Sequence, residues 1–412
     1  MPLPLAAVFA DLPDPRRQTA NTWAGLTKKG NKAGQSWEGR HGTGLQSSDK
    51  LCAVALVTRF MWPAYFAETP DKRLTNRLGV HVHKLRFTDT ATMAARKWLA
   101  DGESLDPLAV WEAEEHWSGQ WLHWLTQEDD DDVKCPDWVW DRIKRKKQVQ
   151  GKPPTYFALM HLDGDNMAGL FKGSRSDIIS TTEKLTRFAN GVQNIVEECG
   201  GELIYAGGDD VLAFLPTETA IACARQLRKA FGEALPGASL SGGIAVVHCK
   251  EDLRFALGQV RAAEKAAKRI ARPGGDPTVK DALALTICRR SGEHATVVMG
   301  WDQTPLLQSL VRDFKGADKH PPASDRWTYK LRTETPTLTA LPLAAGRAET
   351  MRLVGRAENA PPNFDERIGT PFGSYQAEIG FADPDLAKPD ADVPNGFVAL
   401  CQSASFLARG KE

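Results

Sequence analysis

One stretch of the sequence, residues 155–290, alternates apolar strand patterns with amphipathic helix patterns in an order that few folds share. The order is strand, helix, strand, strand, helix, strand, followed by one more helix and one more strand. The first six elements make the split βαβ arrangement of ferredoxin-like domains. The sequence therefore predicts an α+β fold, with an antiparallel sheet covered by helices on one face.

Composition and the positions of Gly- and Pro-rich segments divide the chain into three predicted regions. The segment GKPP after the basic run RIKRKK (142–147) is typical of a domain boundary. We expect a mostly helical region over 1–150, the ferredoxin-like domain over 151–300 and a small helical domain over 301–412. The basic run could contact nucleic acid or form a solvated helix end.

The region before that boundary combines loop and helix patterns. Residues 1–50 are rich in Gly, Lys, Ser and Gln and read as loop, a helical pattern starts at Asp49, and another follows at TDTATMAARKWLADG. Seven of the 12 tryptophans lie between 98 and 140. Three of them share a helical face, which favours an aromatic core over a base-stacking surface because interleaved cations are missing: Trp117, Trp121 and Trp124.

Charge, hydropathy and cysteine spacing exclude several classes of protein. The 52 basic and 52 acidic residues cancel, so whole-protein charge does not indicate a nucleic-acid binder. No apolar run reaches the roughly 20 residues of a membrane span, and the N-terminus does not read as a signal peptide. The seven cysteines contain no C-x-x-C pair. We expect a cytoplasmic protein with no membrane contact and no zinc site.

Two acidic sequences follow or join the predicted strands. Asp163-Gly164-Asp165 ends the first strand, and Asp209-Asp210 lies in the turn of a predicted hairpin. In a ferredoxin-like sheet the first and third strands are neighbours, so both acidic sequences should reach the same edge. Such a cluster needs a cation, and hard carboxylate ligands favour Mg²⁺ or Mn²⁺. We predict a two-metal phosphoryl-transfer site with Asp163, Asp209 and Asp210 as ligands.

Glycines and basic residues near these sequences fit a nucleotide. Gly207 and Gly208 permit positive φ and close approach of a phosphate or base. The segment from Gly164 to Gly169, which includes Asp165 and Asn166, leads toward a helix, so its backbone N–H groups could cradle a triphosphate. Lys265 and Lys268, after Arg261 on the third helix, could reach phosphates or form an ordinary exposed face.

These residues carry a family resemblance. YFALMHLDGDNMAGLF, ELIYAGGDDVLAFLP, SLSGGIAVVHCKEDLRFAL and VRAAEKAAK together resemble the second palm domain of the large subunit of type III CRISPR effector complexes, Cmr branch. SSDKLCAVALVTRF and RFTDTATMAARKWL resemble the segment that joins the two palms of that family, and FVALCQSASFLARG resembles its terminal helical domain.

The resemblance implies a synthetase that makes cyclic oligoadenylate from ATP when its effector complex senses target RNA. It implies that Asp163 is a metal ligand, with the Gly164 carbonyl nearby, and that Asp209 and Asp210 are catalytic. It places Ser241 and Gly242 near the nucleotide and Lys268 on a phosphate. The implied partners are the other effector subunits, CRISPR RNA and target RNA.

The chain departs from the family pattern in three ways. It contains no His-Asp dipeptide, so no HD nuclease is expected. It lacks the zinc-binding cysteine pairs, and it shows one palm where the family has two. It therefore resembles the C-terminal half of the large subunit. We expect the second palm to come from a homodimer or from a separate chain.

Two other functions remain open from sequence alone. One is a structural subunit of an RNA-guided complex that binds ATP but makes little product. The other is a diguanylate-cyclase-like enzyme, which the turn disfavours because it reads GGDD and not GGDEF or GGEEF.

Overall fold

A computed structural model of the chain describes residues 88–114, 116–127, 134–269, 280–316, 321–364, 366 and 396–409. The chain divides into two compact units, Met1–Thr88 with Trp124–Asp137, and Asp89–His123 with Trp138–Glu412. In the first unit, the Gln127 amide donates to the Cys135 carbonyl over 2.8 Å and to the Asp137 carboxylate over 2.6 Å. The second unit contains the sheet. The predicted loop over 1–50 and the helix starting at Asp49 lie outside the described residues.

Six described strands form one sheet in the order β2-β3-β1-β4-β5-β6. They are β1 Tyr156–Gly164, β2 Glu202–Gly207, β3 Asp210–Pro216, β4 Leu240–His248, β5 Ala282–Cys288 and β6 His294–Gly300. The first four have the ferredoxin-like order, with β1 between β3 and β4 and antiparallel to both. This confirms the predicted α+β fold and the central pairing of the first and third strands.

The described helices fall before, within and after the sheet. Four precede it, namely α1 Thr90–Ala94, α2 Arg96–Ala100, α3 Pro107–Glu114 and α4 Asp137–Gln150. Three connect its strands, namely α5 Arg175–Glu198, α6 Ala220–Ala234 and α7 Leu253–Ala267. Five follow it, namely α8 Thr304–Lys315, α9 Arg326–Thr333, α10 Thr335–Ala340, α11 Leu343–Gly355 and α12 Gly396–Arg409. None of the described helices combines the length and apolar character needed to cross a bilayer.

The main core lies on one face of the sheet. Because strand side chains alternate between faces, Ala158, Met160 and Leu162 of β1 point into this core. Helices α5 and α6 cover them with apolar side chains such as Val192 and Leu227. The capping box of Ser174 and Asp177 starts α5.

The opposite face is covered as well, which corrects the expectation of helices on one face. Phe157 and Leu159 of β1 pack there with Val260 of α7 and Met93 of α1. Strand β5 is parallel to β4, so the sheet is mixed and not wholly antiparallel. Parallel neighbours need a crossover connection, and α7 provides it on the face that α5 and α6 leave uncovered.

The tryptophan-rich region before the sheet is not one continuous helix. A short 3-10 turn, Gly119–His123, contains Trp121, and Trp117 precedes it. The two indole rings pack edge to face with centroids 5.6 Å apart. Trp121 is buried, so the core interpretation holds for it. Asp89 is the N-cap of α1, and its side chain accepts a hydrogen bond from the Thr92 backbone N–H.

The basic run lies on α4 and is only partly solvated. Lys146 is buried and its Nζ donates to the backbone carbonyls of Asp101 over 2.6 Å and Glu103 over 2.9 Å. Arg142 pairs with Glu103, and Lys147 lies over the Trp140 ring. Much of this positive charge therefore serves local packing.

The C-terminal helices share the main core. Leu307 of α8 and Phe397 of α12 belong to the same buried cluster as Met299 of β6. The Pro-rich segment between α8 and α12 contains α9 to α11 in its described part. The two boundaries between the three predicted regions stay predictions.

Candidate active site

Four carboxylates lie at the edge of the sheet where β1 ends and β3 begins. Asp163 is the last residue but one of β1, and Asp165 follows the end of that strand. Asp209 lies in the turn after β2, and Asp210 is the first residue of β3. The pairing of Leu162 with Val211 fixes this neighbourhood, since antiparallel strands bring the end of one to the start of the other. We call Asp163, Asp165, Asp209 and Asp210 the carboxylate edge.

The GGDD sequence contains the two-residue turn between β2 and β3, which consists of Gly208 and Asp209. Gly207 pairs with Asp210 across the hairpin, and Gly208 has a φ of 68°, which favours glycine. The Tyr205 hydroxyl lies against Gly207. The turn therefore presents the two aspartates side by side beyond the end of β1.

The Asp209 side chain is half-buried, and its hydrogen bonds compensate for only part of the cost of burying its charge. Burial raises its pKa above the ordinary value, and the neighbouring charge of Asp210 raises it further. The backbone N–H groups of Asp209 itself and of Gly164 donate to the carboxylate and oppose this rise. A cation beside Asp209 would favour its ionised form, which is the property expected of a metal ligand.

Asp163 already has a cationic partner. The Lys268 Nζ, at the end of α7, contacts the Asp163 carboxylate, lies 3.2 Å from Oε1 of Glu264 and donates to the Gly164 carbonyl over 3.4 Å. Burial, with a smaller contribution from Lys280, lowers the pKa of Lys268 to about 8. The ammonium is thus still mostly protonated at neutral pH.

Asp165 points into the protein. It is 5% exposed, and its Oδ2 accepts hydrogen bonds from Ser239 Oγ over 2.8 Å, Ser241 Oγ over 2.9 Å and the Asp281 backbone N–H over 3.0 Å. Its Oδ1 is buried without a hydrogen-bond partner among the described residues. Asp165 therefore ties the end of β1 to β4 and β5.

His161 lies on β1 below Asp210. Its Nε2 is 3.7 Å from Oδ1 of Asp210. Burial is the main cause that lowers the pKa of His161, so the imidazole is neutral at pH 7 and the contact is no salt bridge there. The structure thus agrees with a structural histidine.

The backbone after Asp165 does not lead straight into a helix. Asn166 has a left-handed φ of 53°, and a short 3-10 turn, Met167–Gly169, follows it. The N–H groups of Gly169 and Leu170 already donate to the carbonyls of Asn166 and Met167 over 2.9 Å each. In this conformation those two groups are not free to cradle a phosphate.

The remaining predicted residues separate into buried and exposed ones. Ser241 and Gly242 lie inside β4, where Gly242 pairs with Leu162 of β1. Ser241 and Gly242 therefore support the end of β1 that carries Asp163. Arg261 and Lys265 are exposed on α7, whereas Lys268 reaches the edge.

Sequence reasoning missed Glu264, which is 8% exposed beside Lys268. Its pKa is raised by burial first and by the charge of Asp210 next. The spacing of Glu264 and Lys268, four residues apart on one helix, is the signal that could have identified the pair.

The oxygen atoms of the carboxylate edge are of the type that binds a divalent cation, although the side chains are not arranged around a single cation position. No group of three His, Cys, Asp or Glu side chains among the described residues is arranged to hold a metal ion. Lys268 contacts the Asp163 oxygen that such an ion would use. Carboxylate and carbonyl oxygens from Asp163, Gly164, Asp209 and Asp210 are the ligands that Mg²⁺ and Mn²⁺ prefer.

Comparison with known proteins identifies related palm domains. Residues 156–276 match the family model "Cas10/Cmr2, second palm domain". CRISPR system Cmr subunit Cmr2 of Pyrococcus furiosus is 32% identical over 209 residues, in a match that covers 41% of this chain and 23% of that protein. The aligned part is thus about a quarter of the relative's length.

One solved structure shares the fold at low sequence identity, and a second one is similar over part of the chain. A cryo-EM structure of type III-B Cmr-beta bound to cognate target RNA matches with a TM-score of 0.50 and 11% identity, over 87% of this chain and 51% of that chain. The apo state of type III-B Cmr-beta matches with a TM-score of 0.46 and 12% identity, over 67% and 40% of the two chains.

Proposed function

We propose, from the match of residues 156–276 to the family model "Cas10/Cmr2, second palm domain", that the protein is a nucleotidyltransferase that makes cyclic oligoadenylate from ATP. It would act in antiviral defence as part of the large-subunit function of a type III CRISPR effector. The alternative is a subunit of such a complex that binds ATP but makes little product.

One observation carries the proposal. Asp163 on one strand and Asp209 and Asp210 on another strand's turn reach the same sheet edge, with Lys268 beside them. Mutual repulsion and partial burial make such a group costly, and Lys268 neutralises only part of its negative charge. A triphosphate bound with divalent cations has the matching charge.

One set of residues would bind the cations, and another set would hold β1 in position. Asp163, Asp209, Asp210 and the Gly164 carbonyl would hold Mg²⁺ or Mn²⁺, which when bound stabilises negative charge on the attacking hydroxyl oxygen and the leaving pyrophosphate. Asp165 and Ser241 keep the end of β1 fixed against β4. Rigid placement of this kind supplies much of the rate in phosphoryl transfer.

Lys268 would supply a positive charge to the phosphates. Its Nζ is already within contact of the Asp163 carboxylate. A phosphate held beside Asp163 would therefore lie within reach of the ammonium. This agrees with the role that the family resemblance implies for Lys268.

Joining two ATP molecules also needs a place for the acceptor. A single palm offers one carboxylate edge, so we propose that a second palm, from another copy of the chain or from a separate subunit, holds the acceptor nucleotide. The other effector subunits, CRISPR RNA and target RNA would then control when the two palms work together.

The test is product formation from ATP. The purified chain is incubated with ATP and Mg²⁺ or Mn²⁺, with and without effector partners and target RNA, and products are resolved by liquid chromatography and mass spectrometry. We expect cyclic oligoadenylate from the wild type and none from Asp209→Ala/Asp210→Ala. Asp302→Ala, at an exposed aspartate of the same unit, is the matched control and should leave the product unchanged. ATP binding without product in every combination would favour the structural subunit.

A further inference from the structure

The Lys268 ammonium fills the position between two carboxylates and a carbonyl. Its contacts are the Asp163 carboxylate, Glu264 Oε1 at 3.2 Å and the Gly164 carbonyl at 3.4 Å. An ammonium has three donors, so these three acceptors use its full capacity. Two of them, Asp163 and Gly164, are the same groups that the proposed function assigns to a divalent cation.

Glu264 holds the ammonium in place. Helix α7 lies close against β4 at Gly243, where an added Cβ would be 2.5 Å from the Glu264 backbone nitrogen. The Glu264 side chain is buried at this part of the helix, and a buried carboxylate is stable as an anion only when it is paired. Lys268, one turn along the same helix, is the partner that pairs with it.

A divalent cation and an ammonium cannot share one carboxylate position without strong repulsion. We propose that Lys268, tethered by Glu264, is an internal counter-cation that competes with the divalent cation for Asp163 until a nucleotide arrives. This inference rests on the proposed function, because it assumes that Asp163 is a metal ligand. The nucleotide phosphates bring new negative charge, to which the ammonium can move while Glu264 keeps it at the site.

Competition makes cation binding and nucleotide binding cooperative. Without nucleotide, the cation must displace an ammonium from Asp163, which weakens its affinity. With nucleotide, the phosphates accept the ammonium and the cation binds Asp163 freely. Each ligand therefore raises the affinity for the other by the same factor.

The first experiment measures Mn²⁺ binding to the full chain without nucleotide, from the electron paramagnetic resonance signal of free Mn²⁺. We expect Lys268→Gln to bind Mn²⁺ about tenfold more tightly than the wild type, since it removes the competing contact. Lys265→Gln is the matched control, because Lys265 is an exposed lysine on the same helix. It should change the affinity by less than about twofold, because solvent screens an exposed charge.

Two results would overturn the competition. One is Mn²⁺ binding to Lys268→Gln that is equal to or weaker than that of the wild type. The other is an equal gain in Lys265→Gln, which would mean that general charge and not the Asp163 contact sets the affinity. Circular dichroism on every variant establishes that it is folded.

A double-mutant cycle tests the tether. In the Lys268→Gln background, Glu264→Gln removes only a negative charge, so we expect Mn²⁺ binding without nucleotide to weaken by about threefold. In the wild-type background the same change also releases the ammonium from its tether, so it should have less than half of that effect in log units. Equal effects in both backgrounds would show that Glu264 acts through its charge alone and would overturn its role as a positioning residue.

The inference and the proposed function can fail separately. Wild-type protein that binds Mn²⁺ and makes oligoadenylate, with no gain in Lys268→Gln, would contradict only the competition. Absence of Mn²⁺ binding in both proteins, with ATP present and no product formed, would contradict the proposed function.

Discussion

The packing of α7 on β4 is tested by adding one methyl group at Gly243. An ideal Cβ at this position would lie 2.5 Å from both the Glu264 nitrogen and the Val260 carbonyl oxygen, and 2.8 Å from the Ala263 Cβ. Two of these atoms are backbone and cannot rotate away. Helix α7 would therefore have to move by about 1 Å, and such overpacking costs about 1–3 kcal/mol.

Gly258→Ala is the matched control for Gly243→Ala. Gly258 lies on the same helix, is exposed, and would place its Cβ with nothing within 4 Å. Alanine there should stabilise the protein by about 0.5–1 kcal/mol through helix propensity. The two substitutions add the same group, so their opposite signs isolate the effect of the close contact.

Urea unfolding followed by circular dichroism measures both variants. We expect a lower midpoint for Gly243→Ala and an equal or higher midpoint for Gly258→Ala. Because α7 carries Glu264 and Lys268, Gly243→Ala should also change Mn²⁺ affinity, whereas Gly258→Ala should not. If Gly243→Ala were as stable as Gly258→Ala, the account of how α7 reaches the carboxylate edge would be refuted.

Three further predictions concern the carboxylate edge. Asp165→Ala should lower the free energy of unfolding by about 2–4 kcal/mol, because one buried and two partly buried donors lose their acceptor; an unchanged urea midpoint would contradict this. Asp209→Asn should raise the melting temperature of the metal-free protein at pH 7, because burial raises the pKa of Asp209. A raised carboxyl pKa means that the folded state binds the proton more tightly, so stability falls as the pH rises from about 4 through the folded pKa. The gain in melting temperature of Asp209→Asn should therefore vanish near pH 3. A gain that persists at this pH would refute burial of the Asp209 carboxylate as its cause. Gly208→Ala should destabilise the turn by about 1–2 kcal/mol through its positive φ alone, since the added Cβ meets nothing within 4 Å; Gly208→Asn should lose less, and equal losses would contradict this reason.

The order of strands and the meeting of the acidic sequences could be predicted from the chain. Alternating apolar patterns define β1 and β3, and the ferredoxin-like order makes them neighbours. The turn at Gly208 follows from a glycine placed between two strand patterns. These features depend on local periodicity and on a known order of elements, so no long-range contact had to be guessed.

The arrangement of α7 could not be predicted in the same way. Its apolar stripe fits either face of the sheet, and the choice depends on which face α5 and α6 already cover. The parallel pairing of β4 and β5 follows from that choice. A pattern within one helix contains no information about it.

The state of each site residue also depended on tertiary contacts. The sequence placed Asp165 at the correct edge, but only the three donors around it show that it points inward. The sequence of α7 did not indicate that Glu264 is buried, and this burial occurs where the helix lies close against Gly243 of β4. Residues that act through packing are therefore the ones that sequence reasoning missed.

The most direct test of the central claim is a crystal structure with Mn²⁺ and a non-hydrolysable ATP analogue, measured for anomalous scattering. The account predicts Mn²⁺ peaks at the carboxylate edge, about 2.2 Å from oxygens of Asp163 and of Asp209 or Asp210, with Lys268 moved from Asp163 to a phosphate. Bound nucleotide with no anomalous peak at this edge, and with Lys268 still on Asp163, would contradict it.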